Sequence, residues 1–257
     1  MEDKIWYLSN DFEKKPARDV LRSIIIDDKK NYNKVEVEFK EDIVLLDDAI
    51  IQYIEVLRAA YYLREKWKDN NCNRAAIAML ISTLNYVLLA RHGIFLGYFP
   101  EVRDLLRSCY ERTSRCILFF HDKKYADCFL CGEQIFQSEV DKELSKLEND
   151  TEKKGVLYKS LREYYSFMSG VTHPNLKSFE ARYGDKELNK NVGLQCIFGG
   201  IMSTTLGHVV ILCILQTVLS VLKILGVMFP EESGEWEKEF DRINSKKDEI
   251  YKLFLNI

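Results

Sequence analysis

Apolar residues recur every three or four positions along most of the chain, the period of helices with one face turned to a core. Ile50, Ile54, Leu57 and Tyr61 share such a face and place a helix over about 44–68, ended by Asp69-Asn70-Asn71. A second, more apolar helix covers 73–96 and closes at Gly97. Pro100 starts a third, with Val102, Leu105, Leu106, Cys109, Cys116, Ile117 and Phe120 as its core face. Ahead of these, Pro16 opens a short helix, PARDVLRSIIIDD. Lys34-Val-Glu-Val-Glu-Phe39 alternates with the period of a strand, but it has no second strand to pair with and reads as an extended lead-in. After His121 come shorter, more charged helices, with Ser138-Glu-Val-Asp141 as a capping box. A helix over about 152–168 stops at Ser169-Gly170, and a polar loop runs through His173-Pro174 to about residue 190.

The pattern changes near the C-terminus. Residues 191–230 carry one charged side chain, Lys223. The run Val209 to Phe229 is long enough to span a bilayer, so two readings compete. A span would hold Lys223 in hydrocarbon at about 2.5–3.5 kcal/mol. On a helical wheel Gln195, Thr205, Gln216, Thr217, Ser220 and Lys223 fall on one side, as on the central helix of a bundle. The tail adds Trp236, Phe240, Ile243, Ile250, Phe254 and Ile257 as an apolar stripe interrupted by Lys247. Such a helix needs an apolar surface to pack on. The reading taken is a buried central helix; the alternative is a membrane span at 209–229.

Composition narrows the class. The chain has 257 residues, 47% hydrophobic, with twelve glycines and four prolines, about half the usual share of breakers. A chain with so few turn residues is all-α, and this much apolar content excludes disorder. No repeat or linker divides it. One helical domain over 1–257 is expected: a peripheral lead-in (1–43), a bundle (44–230) built around a long, nearly uncharged helix at 191–229, and an amphipathic C-terminal helix (231–257) packing back. The opening MEDKIWYLSND has no apolar run, which points to the cytoplasm. Seven cysteines, an odd number set mostly in apolar helical stretches, fit reduced packing thiols. The one close pair, Cys128 and Cys131, lacks the second pair that a zinc site needs, so neither metal nor cofactor is expected.

Two places could carry chemistry. Eight of the 13 arginines lie between Arg58 and Arg115, and Arg103, Arg107, Glu111 and Arg115 follow one another at helical spacing. Arginine's planar fork suits phosphate or carboxylate, but the net charge of -3 speaks against broad nucleic-acid binding. His173 stands before Pro174, which sets it in extended backbone beside Tyr164, Tyr165, Ser166, Ser169 and Thr172. His208, within the apolar helix, reads as a satisfied core residue.

Two segments carry a resemblance. Gly97-Tyr-Phe-Pro-Glu-Val-Arg-Asp-Leu-Leu-Arg-Ser-Cys-Tyr-Glu111 resembles a G-Y…L-x-R-x-x-x-E helix, and Tyr165 to Pro174 a Y-x-x-x-S-x-x-x-H-P stretch, both of an uncharacterised all-helical family of bacteria and archaea. More distantly the pair resembles the HEPN-type bundles of toxin–antitoxin and abortive-infection systems. HEPN ribonucleases carry R-x(4–6)-H; Arg115 to His121 has those letters, whereas Ser169 stands four residues before His173. The resemblance implies a metal-independent ribonuclease. His173 would act as acid/base, Arg107 would face the phosphate with Glu111 orienting it, and Ser169 and Tyr165 would hold the imidazole. The residues by themselves favour a different class. They point to a helical interaction or regulatory protein whose partner is another protein or a second copy, and the resemblance would set it in a defence or toxin–antitoxin system. RNA and membrane are the lesser alternatives.

Overall fold

The computed structural model describes residues 16–62, 64–148, 204–229 and 236–255. All nine elements among them are helices: α1 Ala17–Glu38, α2 Lys40–Tyr62, α3 Arg64–Trp67, α4 Asn71–Phe95, α5 Phe99–His121, α6 Lys123–Leu130, α7 Gln137–Glu148, α8 Thr204–Met228 and α9 Trp236–Leu255. The protein is an all-α bundle in which α4 and α5 form the most extensively packed pair, and α8 lies against α2, α4 and α5.

Local chemistry sets the corners. Asn70 caps α4, its side chain accepting from the Asn73 N–H at 3.3 Å. At the far end Gly97 adopts φ 78°, with the Tyr98 N–H bonded to the Gly93 carbonyl and the Gly97 N–H to that of Ile94, both at 2.9 Å. That paired closure needs a left-handed residue, and Gly97 supplies it without a Cβ penalty. Pro100 then enters the first turn of α5, where its missing N–H costs nothing. Asp122 serves two helices, ending α5 and capping α6 by accepting from the Lys124 N–H at 2.9 Å.

Two boundaries differ from the sequence reading. The stretch 34–39 is not extended: α1 runs on to Glu38. Val35 and Phe39, one helical turn apart, are fully buried, while Val37 is exposed. Two apolar residues at i and i+4, with a third at i+2, satisfy strand and helix periods alike, and core contacts decide between them. The Phe39 ring meets Phe99 edge-on, with centroids 6.0 Å apart, and covers the bare backbone of Gly207 on α8. The helix expected over 44–68 is described as α2 and α3, on either side of residue 63, which lies outside the described residues. Near the end of α3, the Trp67 indole N–H donates to the Ala60 carbonyl at 3.0 Å. Helix α7 starts at Gln137, which puts Ser138 inside its first turn; the Asp141 carboxylate accepts from the Tyr110 hydroxyl and the Gln137 amide instead of closing a capping box.

Helix α8 is the centre of the bundle. Two described helices are long and apolar enough to cross a membrane, α4 and Gly207–Met228, and the most apolar stretch of the second is 67% buried against 33% for α4. The polar positions of α8 have local uses. Thr217 and Ser220 donate to the carbonyls one turn back, Cys213 and Gln216, at 2.9 and 2.8 Å. Lys247 of α9 donates to the Gln216 side chain at 3.0 Å, and the Lys223 ammonium lies 5.8 Å from the centroid of the Phe240 ring. The lysine that interrupts the α9 stripe therefore meets the polar stripe of α8. Trp236, its ring lying over the backbone of Gly226, completes that seam. The part of the expected central helix at 191–203, the helix at 152–168, Ile257 and the side chain of Phe254 lie outside what the structure describes.

Candidate functional site

Of the five residues singled out for catalysis, the structure places two, Arg107 and Glu111; Tyr165, Ser169 and His173 lie outside the described residues. Arg107 and Glu111 sit one turn apart on α5, and the Arg107 Nε donates to Glu111 Oε1 at 3.3 Å. The other Glu111 oxygen is 4.0 Å from Arg115 Nη1, so one carboxylate lies between two guanidinium groups. Arg115 also donates to the Glu111 carbonyl at 3.0 Å and to the Ile135 carbonyl, in the segment leading to α7, at 3.4 Å. Burial pulls the Arg115 guanidinium below its ordinary pKa, and the facing Glu111 opposes that shift. Arg103, one turn before Arg107, is buried.

This row is a ladder that ties α5 to the segment ahead of α7. Each exposed rung contributes about 0.2–0.5 kcal/mol, and a half-buried one more. Tyr110 and Gln137 extend it, their donors meeting on Asp141 Oδ1 at 3.2 and 2.8 Å. On the opposite side of α5, Arg112 turns to α4. Its Nε donates to the Ser82 hydroxyl at 2.8 Å, and its guanidinium carbon lies 3.9 Å from the centroid of the Tyr86 ring. The eight arginines clustered in the sequence thus spread over α2, α3, α4 and α5, and the four on α5 do not share one set of partners. Arg115 and His121, whose spacing matches the HEPN letters, are drawn to different surroundings: Arg115 to Glu111 and Ile135, His121 to the Phe120 ring at the end of α5. Six residues also put them about 120° apart around the axis.

Two features escaped the sequence reading. The first is a pair on neighbouring helices: His208 Nδ1 of α8 lies 3.3 Å from Asp42 Oδ2 of α2, both largely buried, with the Phe39 ring edge-on to the imidazole at 4.8 Å. His208 reads as a core residue from sequence, but nothing in the chain's pattern marks Asp42 as its neighbour. The second is a surface. Arg91 of α4 grips Asp47 of α2 through both oxygens, Nη2 to Oδ2 being 2.6 Å, and the hydrogen bonds with Asp47 hold its guanidinium above the ordinary value. Exposed apolar side chains stand on the same side of each helix as that bond: Val44 and Ile51 on α2, Ile81 and Leu88 on α4. A signal was present, because Ala75 to Ala90 contains no charged residue. It reads from sequence as core.

Among the described residues, no group of three or more histidine, cysteine, aspartate or glutamate side chains could hold a metal. Compared with known proteins, the chain matches no family model, no curated protein and no solved structure.

Proposed function

We propose that this chain is a helical interaction or regulatory protein of the cytoplasm, acting through the joined faces of α2 and α4. The observation that carries the reading is the exposed apolar surface around the Asp47–Arg91 bond. Contiguous exposed apolar patches are uncommon on monomeric proteins and mark contact sites. The apolar faces of α8 and α9 are instead engaged with each other through Lys247–Gln216 and Trp236–Gly226. The packing of α8 among three helices supports a soluble bundle over a span at 209–229. A defence or toxin–antitoxin setting is what the resemblance to HEPN-type bundles would imply for such a protein.

A metal-independent ribonuclease is the second reading, resting on the Arg107–Glu111 pair, which is partly exposed on α5. One comparison separates them. Wild type, Arg107→Ala and His173→Ala are incubated with total RNA, and their effects on growth are compared on overexpression. The interaction reading expects intact RNA and the same growth from all three. Cleavage by wild type that is lost in His173→Ala at unchanged Tm overturns it in favour of the enzyme.

A further inference from the structure

We propose that Cys128 and Cys131 form a dithiol site that a low-molecular-weight disulfide of the glutathione type oxidises to an intrachain disulfide, and that its state sets the connector between α6 and α7. The site is separate from the α2–α4 face and does not depend on what binds there. Cys128 lies in the last turn of α6, and Cys131 is the residue that ends the helix. Cα atoms three residues apart on a helix are about 5 Å apart, inside the span that a disulfide bridges. Cys131 is exposed and Cys128 half-buried, so the pair opens on solvent, unlike the buried thiols Cys109, Cys116 and Cys213.

The turn that holds the pair is able to tighten. It closes with the Glu133 N–H donating to the Cys128 carbonyl and the Gly132 N–H to that of Phe129, both at 3.0 Å, and with the Cys131 N–H donating to the Asp127 carbonyl at 2.9 Å. At this spacing on an α-helix the Cβ atoms are about 5–6 Å apart, and a disulfide needs about 3.5–4.5 Å. A 3₁₀ turn brings side chains three apart over one another. Moving the Cys131 N–H from the Asp127 carbonyl to that of Cys128 makes such a turn, in competition with Glu133 for the same acceptor. The Phe129 ring, stacked on Phe119 of α5 with centroids 5.0 Å apart, anchors the turn on its core side. The adjustment therefore falls on 131–136. Gly132, at φ 82°, leaves room for it, since a Cβ there would meet nothing within 4 Å. The same connector carries Ile135, whose carbonyl receives Arg115, so oxidation is felt at the α5 ladder.

Chemistry sets the order of attack. The Cys128 thiol donates to the Glu133 carboxylate; that hydrogen bond, then burial, hold it above its ordinary pKa, with Lys124 one turn back opposing. Cys128 thus keeps its proton, and the exposed Cys131 reacts first. Its thiolate attacks one sulfur of glutathione disulfide, whose S–S bond breaks to release one glutathione thiolate. Cys128 passes its proton through Glu133 to solvent, attacks Cys131 Sγ and expels the second glutathione. Two protein thiols are oxidised, one glutathione disulfide is reduced to two thiols, and the two protons end on those thiols.

The test is peptide mass. Tryptic cleavage leaves both cysteines, and no other, in the peptide 125–142. The full chain is equilibrated in glutathione buffers graded from reduced to oxidised, then quenched by alkylation. The peptide should become two hydrogens lighter as the buffer turns oxidising, and a reductant should reverse the change. Cys128→Ser should retain one glutathione on Cys131, whereas Cys131→Ser should take up glutathione several-fold more slowly. Amide hydrogen exchange over 131–136 should rise several-fold on oxidation of wild type and stay unchanged in Cys131→Ser. A wild type whose two thiols stay alkylated, or carry separate glutathiones, in fully oxidised buffer overturns the site. A disulfide that leaves exchange over 131–136 unchanged overturns the switch. Glutathione uptake by Cys131→Ser as fast as by Cys128→Ser overturns the order of attack.

Discussion

Gly226 shows how a single hydrogen atom in place of a methyl positions a helix. In an open helix interior, glycine to alanine gains about 0.5–1 kcal/mol, because alanine gives up less backbone entropy. Here a Cβ on Gly226 would lie 1.9 Å from Trp236 Cζ2 and 2.5 Å from Cη2. The indole cannot swing aside cheaply, since it packs edge-on to Phe240 with centroids 5.9 Å apart. The clash therefore outweighs the propensity gain, and Gly226→Ala should destabilise the protein by about 1–3 kcal/mol, the cost of overpacking. Urea titration measures the change. Trp236→Leu in the same chain should recover much of the loss, and a stabilised or neutral Gly226→Ala would show that α9 does not sit as described. From sequence, Gly226 is one more residue in an apolar run. Its role depends on which helix lies opposite, a fact of tertiary packing that no local period contains.

Between elements, the seam of α8 and α9 shows why an apparent flaw in a pattern can be its fit. Lys247 interrupts an otherwise apolar stripe, and Gln216 interrupts an apolar helix; each looks misplaced alone. In the fold the Lys247 ammonium donates to Gln216 at 3.0 Å and to Asn244 at 2.8 Å, with the lysine side chain 12% exposed. Removing one partner leaves a buried polar group unmet, whereas removing both can be nearly neutral. Lys247→Met should thus cost about 1–2 kcal/mol, and Lys247→Met with Gln216→Met should return close to wild type. A double variant showing the plain sum of two losses would mean that the two side chains do not act together. The same logic divides what was legible from what was not. Helices α4, α5 and α8 were readable because their periods are long and Gly97, Pro100 and Asn70 bound or punctuate them. The end of α1 was not, because Val35 and Phe39 fit two periods and the choice depends on Phe99 and Gly207, far away in sequence. At the candidate site the residues of α5 were readable but their use was not. Arg107 and Arg115 share Glu111 by helical spacing, which a wheel shows; the Ile135 carbonyl that receives Arg115, and the Asp42 carboxylate beside His208, come from other segments.

At the scale of the whole molecule, the cysteines report whether the bundle opens as one unit. Cys109 and Cys116 on α5 and Cys213 on α8 are buried, and Cys131, after α6, is exposed. Burial pushes the Cys109 thiol up to about 12, and burial raises Cys116 further, so neither supplies thiolate near neutral pH in the folded state. Alkylation needs thiolate and access; Cys109 and Cys116 gain both, and Cys213 gains access, only on opening. Cys116 Sγ, 3.9 Å from Met228 Sδ at the far end of α8, cannot be reached without separating α5 from α8. If one core joins α2, α4, α5 and α8, Cys109, Cys116 and Cys213 should alkylate at a common slow rate. That rate should rise with urea along the slope of global unfolding, while Cys131 reacts at once and is insensitive to urea. Peptide mass spectrometry of timed samples resolves each site. Labelling of Cys213 well ahead of Cys109 and Cys116, with a shallower urea slope, would mean that α8 leaves a bundle that otherwise stays closed, and the central position given to α8 would fall with it.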